Sequence, residues 1–485
     1  MKQIKYLLMG ALLMGFSTAA MAQDGTKADV EAVKQLIKSK PADMGKQMKA
    51  FYKENKKNPE NLVAFGRAFF EAGDTLNAKI AAQNALNATK REYAPAYVLL
   101  GDIAAMGDDG GGAAQNYEMA IHFDPKSPDA YRKYAIVYRK IDPQGAVAKL
   151  EELRTHVPDY PVDALIGHLS YLSHRYGTAI EAFGRVNPAN LSKMDFIEYG
   201  FSLYLAKDYA KALNIVETGL KKEPNNATLT RLAMFCSTET EAYDNALVYA
   251  DALFNKIDKD SVTLSEMDYL NYGNALSGLK RYDEAIERYK EGLHAANNAD
   301  DVMVTTQADL YQAISEAYKA KEDYPNAIES YQEYLKLTKD ASANDYAGLG
   351  NLAMRYAKSQ EGDARIEAYK RADQLWGEFI EKFPNQEEYG LFQRGMANSN
   401  MDPEMTEGLA KPYFSKIIEN LTTSGKELTE NDKQFLITSY RYLMSYSYQI
   451  AKDNQAALEY ANKILELKPD DAGIQQVVET LSKAK

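Results

Sequence analysis

Five histidines, one cysteine and two acid-rich turns are the residues of this chain that could do chemistry, and none of them stands at a catalytic spacing. His168 and His174 are six apart, so a helix turns them to different faces, away from the i,i+4 geometry of a metal-binding pair. His122, His156 and His294 fall near the ends of periodic apolar segments, where a histidine meets the negative end of a helix dipole. Cys236 follows Met234 and Phe235, the setting of a small buried hydrophobe rather than a nucleophile. Asp108-Asp109-Gly110-Gly111-Gly112 resembles a phosphate or calcium loop but lacks the Lys and Ser/Thr of the first and the later Glu of the second. It reads as a flexible turn. Asp258 and Asp260 open a second calcium-like spacing, which Val262 breaks at the third ligand position. No nucleophile elbow, P-loop or zinc-protease motif occurs. The expectation is a chain with no catalytic residue, no cofactor and no metal.

The elements that carry these residues are set by length and composition. The 485 residues exceed one compact core, and with 45% hydrophobic and 26% charged residues the composition is that of a folded protein. The net charge of −12 and the absence of long Lys/Arg runs argue against nucleic acid as a partner. Residues 1–22 read as an export signal: Lys2 and Lys5 precede an apolar stretch from Tyr6 to Phe16, and Ala20-Met21-Ala22 supplies the small residues of a cleavage site. The mature chain is expected to start at Gln23, in the periplasm or secreted, and not as a lipoprotein, because no cysteine stands at the cleavage point. No later segment is long and apolar enough to span a membrane.

Internal periodicity decides the fold class. Leu62, Phe65, Gly66, Phe69, then Ala78, Ala82 and Ala85 form two helical apolar stripes around Gly73-Asp74. The spacing returns as Tyr199, Gly200, Leu203, Tyr209, Ala212, Val216, Gly219 and as Tyr272, Gly273, Leu276, Tyr282, Ala285, Tyr289, Gly292. An alanine marks each unit: Ala78, Ala113, Ala146, Ala179, Ala212, Ala246, Ala285, Ala327, Ala372, Ala410 and Ala457. The first five intervals are 35, 33, 33, 33 and 34 residues. A small residue such as Gly66, Gly101, Gly167 or Gly200 faces the alanine from the preceding helix, and only small residues let two helices approach so closely. Large residues four beyond the alanine, Tyr117, Phe183, Tyr289, Tyr331, Trp376 and Phe414, are expected to fill the gaps between neighbouring units. Prolines at 125, 158, 224, 384 and 469 stop the second helices.

These segments resemble the tetratricopeptide repeat, a helix–turn–helix unit of 34 residues. The resemblance implies an all-α fold, a right-handed superhelical solenoid of helix–turn–helix repeats, capped at both ends. The expected layout is capping helices over 23–58, regular repeats over 59–254, irregular repeats with insertions over 255–470, and a C-terminal capping helix over 471–485. In that family the first helices line a concave surface that binds polypeptides. Carried over, this face comprises Arg67, Asp102, Arg132, His168, Phe201, Tyr204, Arg231, Phe235, Asn274, Gln312, Glu316, Asn351, Tyr442 and Tyr446. The family's carboxylate clamp needs Lys and Asn, then Asn, then Lys and Arg on three successive first helices, and no three repeats here supply it.

The function expected is that of a non-catalytic protein-interaction scaffold of the bacterial periplasm or cell envelope, with a protein or peptide partner. The alternative is a glycan-binding protein resembling the starch-utilisation binding proteins. Those stack sugars on several tryptophans, whereas this chain has only Trp376, which is assigned to the core. Asp74-Thr75-Leu76 and Asp260-Ser261-Val262 also resemble a short bacterial O-glycosylation sequon.

Overall fold

The computed structural model describes residues 24–257, 262–295, 301–423 and 425–483. The export segment, Asp258, Asp260 and Ser261 lie outside them. Among the described residues there are 25 α-helices and no strand, arranged as helix pairs. The chain divides into two compact units, residues 1–236 and 237–485.

In the first unit, α1 (Asp24–Ser39) and α2 (Met44–Glu54) precede the pairs α3 (Pro59–Glu71) with α4 (Thr75–Ala88), and α5 (Ala94–Met106) with α6 (Gly110–Phe123). Next come α7 (Pro128–Tyr138) with α8 (Pro143–His156), and α9 (Val162–Leu172) with α10 (Tyr176–Gly184). Then α11 (Lys193–Leu205) pairs with α12 (Tyr209–Lys222), followed by α13 (Ala227–Glu239), whose residues from 237 on belong to the second unit. Most helices pack on a sequence neighbour, as α3 does on α4 and α5 on α6, and first helices of successive repeats also touch, as α3 does α5 and α9 does α11.

The second unit holds α14 (Tyr243–Asp251), α15 (Glu266–Gly278), α16 (Tyr282–Ala295), α17 (Asp301–Ala320) and α18 (Tyr324–Leu337). It continues with α19 (Ala343–Ser359), α20 (Gly362–Lys382), α21 (Glu387–Met401) and α22 (Lys411–Thr423). It ends with α23 (Glu430–Tyr446), α24 (Asn454–Leu467) and α25 (Ala472–Lys483), whose Ile474 and Leu481 are buried. Part of the extra length of the irregular repeats is taken up by the second helix α20, which runs for 21 residues.

The alanine column is the spine of this architecture: all eleven alanines have no exposed surface. The small residues opposite them are equally required. A β-carbon on Gly66 would lie 2.5 Å from Leu99 Cδ2, and one on Gly200 would lie 2.6 Å from Val216 Cγ2. The large residues pack within their own repeats as well as between repeats. Tyr117, Phe183, Tyr289, Trp376 and Phe414 sit over Gly101, Gly167, Gly273, Gly350 and Gly395 of their own repeats, where the missing side chain makes room. Phe183, Trp376 and Phe414 also reach the next repeat, with ring centroids 5.6, 5.3 and 5.0 Å from Tyr199, Tyr389 and Tyr442, and Tyr331 meets Gly348 of the next repeat. Each proline stands two residues past the last helical residue, as Pro125 does after Phe123 and Pro224 after Lys222.

The turns are built by aspartates. Asp74, Asp109, Asp142, Asp208, Asp323 and Asp453 cap second helices by accepting backbone N–H groups of the first turn. Asp109 accepts from Gly112 N–H at 2.8 Å, so Gly110–Gly112 open α6 rather than forming a flexible loop. The residue before the cap often has a left-handed backbone, and only at Gly73 is it glycine: Asp108, Lys207, Glu322 and Lys452 take φ of 59°, 61°, 60° and 56°. Ser192, Ser265, Ser342 and Thr429 form capping boxes on α11, α15, α19 and α23.

Candidate interaction faces on the first helices

The first helices of the first unit carry two different surfaces. Near its N-terminal end lies a polar ladder. Asp102, only 1% exposed, accepts from Tyr117 Oη at 2.7 Å and Lys133 Nζ at 2.8 Å, and pairs with Arg67. Lys133 is itself 3% exposed and reaches Asp129 at 3.1 Å, and Arg132 bonds Asp129 at 2.8 Å. One carboxylate thus ties α3, α5, α6 and α7 together. Burial and the Asp102 charge push the Tyr117 hydroxyl pKa far up, so it stays a donor. Burial acts to raise Asp129, but Lys133 and Arg132 hold it below the usual carboxylate range.

The expected partner contact Asp102 is therefore corrected: it is a structural anchor with its oxygens occupied. Arg67 and Arg132 are half-buried and committed to Asp102 and Asp129. Lys133, one residue on from Arg132, was missed because a one-residue step turns a helix by about 100°, and the sequence does not say which of two adjacent cations faces inward. Its i,i+4 spacing from Asp129 is the signal that marks it.

The second surface begins at His168. Its Nδ1 lies 2.8 Å from both carboxylate oxygens of buried Glu198, joining α9 to α11. Burial raises the Glu198 carboxyl, and the His168 bond opposes that rise. His174 stands apart in the turn, bonded to Tyr176 Oη at 2.9 Å. Beyond them the face becomes aromatic. The Tyr204 ring lies 5.3 Å from Tyr209 and 6.3 Å from Phe235. Tyr204, Phe201 and Arg231 are half-buried, whereas Phe235 is nearly buried. No ring contact joins Phe201 to the other three. Cys236, beside them, is fully buried.

In the second unit Asn274 accepts from Tyr289 Oη at 2.9 Å, and Glu316 pairs with Lys319 along its own helix. Both line a cavity of about 590 Å3 with Tyr243, Tyr282, Glu239 and Glu241, which sequence reasoning did not single out. Gln312 is half-buried and Asn351 is exposed. Tyr442 is also corrected: it is buried with its ring 5.0 Å from Phe414, and so presents nothing to a partner. Tyr446 is half-buried under Lys411, whose Nζ lies 4.9 Å from the ring centroid. Trp376 is fully buried among Phe379 and Tyr389, in the core role expected of it.

Among the described residues no group of three or more His, Cys, Asp or Glu side chains is placed to hold a metal ion, and no helix is long and apolar enough to cross a membrane.

The tetratricopeptide repeat pattern matches residues 308–340 and 438–471, the segments of α17 with α18 and of α23 with α24. The chain carries tetratricopeptide repeats. The two matched segments hold Ser315 with Ala327 and Ser445 with Ala457, the same small-residue pairs that the periodicity marks. No curated protein matches the sequence. Solved tetratricopeptide-repeat chains similar to it include the C-terminal part of a repeat-containing protein from Cytophaga hutchinsonii, 24% identical, covering 58% of this chain and 99% of that one with a TM-score of 0.45. A tetratricopeptide repeat protein from Parabacteroides merdae is 15% identical over 52% of this chain and 98% of its own, TM-score 0.35. PilW, a type IV pilus biogenesis factor, is 15% identical over 41% and 93%, TM-score 0.34.

Proposed function

We propose that this protein is a non-catalytic interaction scaffold of the bacterial periplasm or cell envelope, exported by its first 22 residues and binding a polypeptide along its first helices. The observation that carries the reading is the aromatic cluster of Tyr204, Tyr209 and Phe235 beside Arg231. Tyrosine and arginine are the residue types that anchor protein interfaces, and here they stand on the surface of a helical repeat rather than in its core. The repeats support the same reading, because a stack of helix pairs offers an extended face and no enclosed reaction chamber. The acidic charge of −12 favours partners that are neutral or basic.

The test is crosslinking in intact cells followed by mass spectrometry of what is captured. Phe201→Ala with Tyr204→Ala should lose the captured polypeptide while helix content stays unchanged, since each anchoring aromatic is worth about 2 kcal/mol. His174→Ala, in the turn apart from that face, should keep it. Loss of binding in the His174 variant, or on adding a chelator, contradicts the scaffold reading. The same preparation checks export: the recovered chain should begin at Gln23 and stay soluble without detergent.

A further inference from the structure

The groove at the C-terminal end of the second unit carries no charge. It lies between α23 and α25, beside the π turn Ser447–Ala451 that follows α23. Its volume is about 410 Å3, inside the range of roughly 300–1,000 Å3 typical of small-molecule sites. Met444, Val477 and Leu481 give it an apolar lining, and Ser445, Gln449, Gln476 and Thr480 add uncharged polar groups. No acidic, basic or histidine side chain lines it, although 26% of the chain is charged. Such a groove has nothing to offset the desolvation of a phosphate, a carboxylate or an ammonium, so the ligand that fits it is neutral.

Tyr448 narrows the class of that ligand. It is 51% exposed, whereas every other tyrosine, phenylalanine and tryptophan among the described residues is buried or half-buried. A π turn is a rare interruption of a helix that recurs at functional sites, and here it brings Tyr448 and Gln449 to the same groove as Met444 and Ser445, four residues earlier. The other π turn, Ala252–Lys256, turns its aromatic inward, with Phe254 lying 5.1 Å from both Tyr269 and Tyr272. Tyr448 meets no other ring among the described residues.

The polar groups around that ring are of one kind. The side chains of Ser445, Gln449 and Gln476 bond to nothing else among the described residues, and each both donates and accepts, as the Tyr448 hydroxyl does. Thr480 donates to the Gln476 carbonyl at 2.8 Å and so remains an acceptor. Hydroxyl groups of a ligand also donate and accept at once. A pyranose ring, apolar on its C–H face and rimmed by hydroxyls, matches both the tyrosine face and the groups beside it. A peptide backbone instead presents separate donors and acceptors.

We propose that this groove binds a neutral oligosaccharide, with one sugar ring stacked on Tyr448 and its hydroxyls bonded to Ser445, Gln449 and Gln476. The site goes beyond the scaffold reading and does not depend on it.

The test is saturation-transfer difference NMR on the full mature chain with an equimolar mixture of maltotriose, cellotriose and mannotriose, and separately with the blocked neutral peptide Ser-Leu-Gly-Val-Ser. At least one trisaccharide should bind, and its affinity should hold between about 0.05 and 0.5 M salt, because no charge lines the groove. Tyr448→Ala should weaken that binding about tenfold, while Tyr448→Phe should keep most of it. Gln449→Ala with Gln476→Ala should weaken it as well. Val248→Ala, an exposed side chain of the same unit outside the groove, should change nothing. Absence of binding by all three trisaccharides, binding that survives Tyr448→Ala, or binding of the peptide alone overturns the proposal.

Discussion

Gly101 lies so close beneath the ring of Tyr117 that a β-carbon on it would stand 2.4 Å from Tyr117 Cε1. The same ring carries the hydroxyl that donates to Asp102, so one close approach sets both the helix spacing of a repeat and the polar ladder beside it. Gly101→Ala should therefore push the ring aside and cost about 1–3 kcal/mol, read as a drop in the urea midpoint. Combining it with Tyr117→Leu should recover part of the packing but not the bond to Asp102. An unchanged midpoint in Gly101→Ala would show that the helices separate freely there.

Ala212 is the equivalent contact on a second helix and is fully buried. Ala212→Leu should wedge α12 from its partner and lower stability by about 1–3 kcal/mol through overpacking. Because a repeat array is coupled mainly through nearest neighbours, hydrogen exchange should rise first around α11 and α12. Uniform loss of protection across the whole chain would contradict that coupling.

Asp102 neutralises a buried lysine. Asp102→Ala leaves Lys133 and Tyr117 Oη without that acceptor, an effect of about 3–5 kcal/mol for a broken buried pair. Asp102→Leu with Lys133→Met removes both charges and should be far less harmful than Asp102→Ala alone. Thermal unfolding of the three chains decides it. If the double variant is the least stable, the ladder holds the fold through more than charge compensation.

Glu198 gives stability a pH dependence. Burial, opposed by His168, raises its carboxyl in the folded chain, while the unfolded chain ionises at about pH 4.3. Between those two values the native state holds a proton that the unfolded state has lost. The contribution is therefore complete below about pH 4.3 and fades as pH rises through the native value. Glu198→Gln lacks this loss, so its melting temperature relative to the parent should climb between pH 4 and pH 7. A constant difference would mean that Glu198 titrates alike in both states.

The repeat register was legible in the sequence because it rests on size. Where two helices touch, only a small residue fits, so the column from Ala78 to Ala457 and the stops at Pro125 and Pro224 could be read without coordinates. The left-handed turns at Asp108 and Lys207 were less legible, since the fold imposes there what local sequence does not prefer.

The interaction face divides along the same line. Sequence placed Tyr204 and Phe235 on first helices, but whether a residue there is presented or sealed depends on what the neighbouring repeat lays over it. Asp102 was sealed by Tyr117, Arg67 and Lys133, and Tyr442 by Phe414, contacts between residues far apart in the chain. Glu239, Glu241, Tyr243 and Tyr282 became a groove only when five helices, α13 to α17, met at one cavity. Periodicity fixes which side of a helix turns inward. What covers that side, and which charges find partners across it, only the packing of helix on helix decided.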